Sequence, residues 1–505
     1  GSSNVAVGNY AMGTGVVTAA NNVAVGYESL ADVTSGGQNT VAGAYAAQQL
    51  TTGSDNAGLG YHVLGALTTG GQNVAVGRNA LDANTTASEN TAVGYNALSA
   101  NTTGSVNTAI GRAAMQNTTT GLKNVAVGKD ALGSQTTGES NVAIGHDAML
   151  DCTTGQQNVA VGQQSLQNNV SGNYNTAIGR SALHDNTADA NTAVGYFALD
   201  TNSSGTENVA VGAYSMRYGT TGSHNTALGH DSLELLTTGS YNVGIGRDAG
   251  RNITTGSNNT CIGPNANDAS NTTRVTAIGN FCLSANTGDD NTGVGSNCMQ
   301  FNTSGTRNTA MGYNALRDNT TSNNCTALGW EAAREATSAT DVTAVGAYAL
   351  QNITTGDLNT AVGQAAGVST TSGYENTYIG LGSARNATTG YDNTCIGKDA
   401  GTAITTSHNN TLVGHQAGKN ITTSDGTQGC NICLGDNTQL ASADDDRSMV
   451  LGHNSTGLGD ETTFIRGASG VFNGNNTTTW NTTSDERIKK NIVDNNTGLD
   501  VLNQI

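Results

Sequence analysis

The chain has 505 residues, with 68 Gly, a single Pro, 4% aromatic and 11% charged residues. A net charge of −18, spread thinly along the chain, disfavours nucleic acid and anionic membrane as partners, and no apolar run is long enough for a membrane-spanning helix. So few large apolar side chains cannot fill the core of an ordinary globular domain of this length, so order has to come from repetition.

In chain order, the first element is a short strand within the motif N-[VT]-A-[VI]-G. The chain begins at Gly1, part-way into a repeat, so a further N-terminal portion is expected. The motif starts at Asn4, Asn22 and Asn39 and recurs to Asn431 and Ser448, 27 starts in all, nearly all 17 residues apart. A period this strict marks a stacked array. The consensus turn is N-T-A-V-G-x-x-A-L-x-x-N-T-T-G-S-x, numbered here from 1 at the Asn. Positions 1–4 read as a strand, with a β-branched residue at position 4 such as Val76 or Ile110. Gly at position 5 marks a sharp corner, Ala-Leu at 8–9 a second inward segment, and T-T-G at 13–15 a second turn. Seventeen residues are too few for a helical hairpin, and helical stripes are missing, so the array is read as strand. The predicted fold is all-β: a parallel β-solenoid of about 27 turns with a core of Ala, Val and Leu. At ~4.8 Å per turn it forms a rod of about 130 Å.

Position 1 should form an Asn ladder, with amides bonded from turn to turn. Replacing one Asn by Ala in mid-array is expected to cost on the order of 1 kcal/mol. A coil this thin buries little apolar area per turn, and a homotrimer would cover one face of each coil.

Position 6 is the most decorated column. Tyr95, Arg112, Tyr196, Tyr313 and Trp330 occupy it, just past the corner Gly. Pointing outward, they could stack on sugars or bind anionic glycans; an ordinary solvated corner is the plainer reading. The His residues of this column lie in turns far apart, so no metal site is expected, and no cofactor. Cys282 and Cys298 occupy position 8 of adjacent turns, where a disulfide is geometrically conceivable; Cys430 and Cys433 form a lone CxxC. The acidic triplet Asp444–Asp446 reads as a solvated loop. Ser, His and Asp form no recognisable catalytic constellation, so the chain is not expected to be an enzyme.

The N-[VT]-A-[VI]-G turns resemble the YadA-like head repeats of trimeric autotransporter adhesins. They also resemble the N-T-A-x-G-x-x-A-L arrays found upstream of tail-fibre chaperone domains. At the other end, FIRGASGV at 464–471 and TSDERIKKNI at 483–492 resemble the entry to an endosialidase-type intramolecular chaperone. That resemblance covers about the last 40 residues. It implies a trimeric phage tail fibre whose chaperone assists trimerisation and then cuts itself off in a single turnover. Ser484 would be the nucleophile and Lys489 its activating base. Residues beyond Ser484 are present and the body of the chaperone is not, which leaves processing open; the alternative role for Ser484 is a helix N-cap.

The expected organisation is a solenoid over 1–456, a connector over 457–483 and the start of the chaperone over 484–505. The expected function is a structural and adhesive fibre on a virion. Its partners would be two further copies of itself, a host-surface glycan or other receptor, and other tail proteins. A bacterial surface or secreted adhesin stalk is the first rival reading, and an ice-binding solenoid with Thr ladders the second.

Overall fold

The computed structural model describes residues 1–466, apart from 14–16, 270 and 423–428, together with the strands Val471–Asn473 and Asn481–Thr482. It divides into two units, Gly1–Phe281 and Cys282–Ile505. Each is a parallel β-solenoid with the expected 17-residue turn.

In the first unit, three-residue strands run from Val5–Val7 to Thr276–Ile278, one per turn. Every like position pairs with its copy in the next turn, as in Thr91↔Thr108 and Ala92↔Ala109. In the second unit the same ladder runs from Thr292–Val294 to Met449–Leu451 and adds Thr463–Ile465 in parallel. The chain then reverses: Val471–Asn473 and Asn481–Thr482 pair antiparallel.

The turn from Asn90 to Val106 shows how the motif works. Asn90, Ala92, Ala97, Leu98, Asn101 and Gly104 are buried, and these six columns are the core. Strand alternation therefore turns positions 1 and 3 inward and 2 and 4 outward. The interior is mainly Ala and Leu lined by Asn, with the expected Val present at Val41, Val63 and Val450, all buried; the β-branched residues of position 4 face outward instead, Ile110 and Ile144 each being 40% exposed. The Ala-Leu segment is inward, as expected, but it is a run of turns rather than a strand. Positions 7, 9 and 17 are left-handed without being Gly: Asn96 at φ 56°, Leu98 at 50°, Val106 at 63°. Alternate N–H groups then point to opposite neighbours. Asn96 donates back to Arg78 O (3.0 Å) and Leu98 forward to Ala114 O (3.0 Å). Left-handed Leu costs about 1–2 kcal/mol, and its full burial, the bond of its N–H to Ala114 O and the bond of its carbonyl to the Asn101 N–H (3.2 Å) offset that cost.

The Asn ladder is present in both units. The backbone N–H of Asn107 donates to Asn90 Oδ1 (2.9 Å), and Asn107 Nδ2 donates to Gly121 O (2.9 Å). In the second unit, Asn376 N–H donates to Asn359 Oδ1 (3.1 Å). Thr at position 13 forms a further ladder, with Thr102 Oγ1 donating to Thr119 O (3.1 Å).

Core volume is exchanged between columns. Tyr378 replaces the usual Ala at position 3 and is fully buried. Room comes from Gly367, which stands where position 9 normally carries Leu; a Cβ there would lie 2.5 Å from Tyr378 Cδ2. Leu412 at position 3 is matched in the same way by Gly401 and Gly418 at position 9.

Candidate functional site

The sharp corner at the position-5 glycine of each turn aims positions 6 and 7 away from the core. Tyr95, Arg112, Tyr196, Tyr313 and Trp330 are all exposed there, as the sequence suggested. They do not form one site. Tyr95 and Tyr196 lie six turns apart in the first unit, about 29 Å at ~4.8 Å per turn.

Tyr196 belongs to a cluster drawn from several columns. Its ring meets Phe197 edge-on (centroids 4.5 Å, 84°) and Tyr214 (5.3 Å, 80°), and Tyr214 meets His230 (5.7 Å). The Arg217 guanidinium lies 5.0 Å from the Phe197 ring, 5.2 Å from Tyr214 and 5.0 Å from Tyr218. Its cation–π contacts cover ring faces that a ligand would otherwise use. A second ladder, Tyr10, Tyr27, Tyr45 and Tyr61, runs edge-to-face at 5.3–6.3 Å. Phe197, Tyr214, Tyr10 and Tyr45 sit at position 7, which sequence reasoning passed over. The signal was available, because aromatics recur there at the same 17-residue period.

In the second unit, Tyr313 and Trp330 meet at 4.4 Å with a 31° tilt. On another edge, Tyr374, Tyr391 and His408 stack nearly parallel at 4.9 and 4.6 Å.

Compared with family models, curated proteins and solved structures, the chain matches none.

After His184, position 10 of the first unit carries side chains of alternating charge type over five consecutive turns: Asp200, Arg217, Glu234, Arg251, Asp268. Arg251 Nε lies 2.8 Å from Glu234 Oε2. Skipping one turn would place like charges together, so the column favours correct stacking of near-identical repeats. Burial pushes the Asp268 carboxyl up to about 6, with Asp248 adding to the shift and Arg251 opposing it. Asp200 is raised by burial first, then favoured back down by His184.

All cysteines but Cys430 are buried, as small core residues. Cys282 and Cys298 are buried at position 8 of consecutive turns. Cys430 is exposed while Cys433 is buried in its strand, its thiol pushed up to about 12 by that burial. In the acidic triplet the expected solvated loop holds only in part: Asp445 is buried and accepts from the Ser442 N–H of its own loop, and Asp446 accepts from the Gly429 N–H of the preceding turn. Among the described residues no three His, Cys, Asp or Glu side chains group to hold a metal. Ser484 and Lys489 lie outside the described residues.

Proposed function

We propose that this chain is the shaft of a homotrimeric fibre, a bacteriophage tail fibre that holds an attachment surface away from the virion. The observation that supports this reading is the outer face of the strand ladder. It carries larger apolar side chains than the inner face: Val, Ile, Leu or Met at position 4 outside, Ala at position 3 inside. Ile110, Ile144, Ile178 and Leu228 in the first unit, and Met311 and Val362 in the second, are exposed on it. An apolar stripe renewed on every turn is far longer than a lone soluble chain tolerates. Further copies of the same chain fit it, because an identical period brings every turn into register with its counterpart. Two such copies around each chain close a threefold bundle, and the exposed corners stay free for a surface glycan or other receptor.

Sedimentation should give three times the chain mass of 51.0 kDa. The triple substitution Ile110→Glu, Ile144→Glu, Ile178→Glu places three carboxylates at each level of the shared face, and should shift the protein to monomer. A monomeric parent protein would reject the trimer.

The resemblance of the C-terminal segment gives a second expectation. A chain continued beyond Ile505 should break before Ser484, with Ser484 as nucleophile and Lys489 as base. Intact-mass spectrometry should find that break, and Ser484→Ala or Lys489→Ala should abolish it. An unbroken parent chain would remove self-processing from the reading.

A further inference from the structure

We infer that Trp330 forms one wall of a binding notch for a single pyranose ring of a neutral glycan. The inference rests on the fibre reading only for why such a site would be useful. Its physical case is independent.

Trp330 is half exposed. One face of its indole is covered by Tyr313, at 4.4 Å. Among the described residues no other ring and no cation is stacked on it. The next two occupants of its column are Ala347 and Gln364, in the two following turns. Trp330 O accepts the Tyr348 N–H at 2.8 Å, which fixes the Ala347 turn directly against that of Trp330. A large side chain followed by Ala leaves a step in the corner. The indole stands at one side, Ala347 forms the floor, and Gln364 begins about 9–10 Å away along the stack at ~4.8 Å per turn. That gap takes one saturated six-membered ring at van der Waals distance, ~3.5–4.0 Å, from the indole.

The chemistry favours a sugar over a purely apolar ligand. The electron-rich face of an indole attracts the partly positive C–H face of a pyranose. The surrounding groups are polar and held in place. Glu331 Oε2 accepts from Gln351 Nε2 (2.5 Å) and from Arg334 Nη1 (3.2 Å). The exposed Tyr348 sits beside Ala347 in the same turn. A carboxylate and an amide bonded to each other, with a phenol nearby, suit hydroxyl groups, which both donate and accept.

The charge pattern selects a neutral glycan. Arg334 is held by Glu331 and Glu335, and Arg317 by Asp318 at 2.9 Å. The guanidinium groups of these turns are thus matched by carboxylates of the same chain. A sialic or uronic acid would meet Glu331 and Glu335 with no uncommitted guanidinium to offset them. The aromatic cluster around Tyr196 differs in this respect, because Arg217 already covers its ring faces.

The test uses the assembled protein, its mass checked by sedimentation, on an array of neutral oligosaccharides and their sialylated or uronic-acid counterparts. Binding to neutral members is expected, with a change in tryptophan fluorescence. Trp330→Ala should weaken it at least tenfold. Ala347→Tyr should weaken it as much by filling the notch while leaving the indole in place. Both changes lie at an exposed corner where other turns carry Ala or Tyr, so melting temperatures should stay near the parent value. The inference is overturned if no neutral glycan binds, if both variants bind like the parent, or if acidic members bind best. A monomeric mass with intact glycan binding would reject the fibre reading alone.

Discussion

Gly111→Ala should lower stability by about 2–6 kcal/mol. Gly111 sits at φ 139°, outside the region an L-residue enters without strain. Strain of that kind costs about 1–3 kcal/mol. A Cβ there would also lie 2.4 Å from Gly128 O and 2.6 Å from Gly128 C. The obstacle is backbone, which cannot turn aside as a side chain can, so overpacking adds about 1–3 kcal/mol more. The Gly128 carbonyl is itself part of the corner in the next turn, so relief at one level disturbs the one after. In a stack held by nearest neighbours, such a defect uncouples the turns on either side. Thermal melting and limited proteolysis should report a lower midpoint and new cleavage near residue 111. Thr103→Ala, at an exposed loop position, should stay within about 0.5 kcal/mol of the parent. A Gly111→Ala protein as stable as that control would refute the account of the corner.

Asn107→Ala should cost about 3 kcal/mol, more than the ~1 kcal/mol expected from a typical hydrogen bond. Asn107 is 1% exposed. Its Oδ1 accepts the Asn124 N–H at 3.0 Å and Asn124 Nδ2 at 3.2 Å, and its own Nδ2 donates to Gly121 O at 2.9 Å. Truncation leaves a buried N–H and a buried carbonyl without partners, at about 1–3 kcal/mol each. Asn107→Asp keeps the shape but points a carboxylate oxygen at the Gly121 carbonyl, and should be worse. Natural departures show what the ladder accepts. Cys325 replaces Asn in the second unit, and its thiol still reaches Ala339 O at 3.3 Å while its N–H keeps Asn308 Oδ1 at 2.9 Å. Chemical denaturation with the two variants side by side measures the order. Equal stability of Asn107→Ala and parent would show that the ladder is ornamental.

The difference between the two values for Asn shows where sequence reading stops. Recurrence of Asn at position 1 announced a ladder. That each Asn serves both neighbours and is sealed from water required the third dimension. The site was legible in a similar measure. Trp330 and Tyr313 stood out as aromatics in one column, but Tyr95 and Arg112 share the same 17-residue spacing, so spacing alone did not announce the ring contact of Tyr313 with Trp330. The small side chain of Ala347 became meaningful only once Tyr313 was seen to cover the other face of the indole.

By itself the sequence determined the period, the parallel in-register stacking, a strand within positions 1–4 and the glycine corner at position 5; the structure narrows the strand to positions 2–4. Each follows from repetition: identical spacing returns the same residue type to the same place, and only stacking can bury such small side chains. Tertiary structure alone decided which way each column faces. It put Val and Ile of position 4 outside, drove Leu98 into the left-handed region, and interleaved rings from positions 6 and 7. The physical reason is that side-chain direction depends on the sign of φ at each residue. A chain can enter the left-handed region at Leu or Asn when hydrogen bonds to both neighbouring turns offset the strain, and those bonds exist only after the turns have stacked.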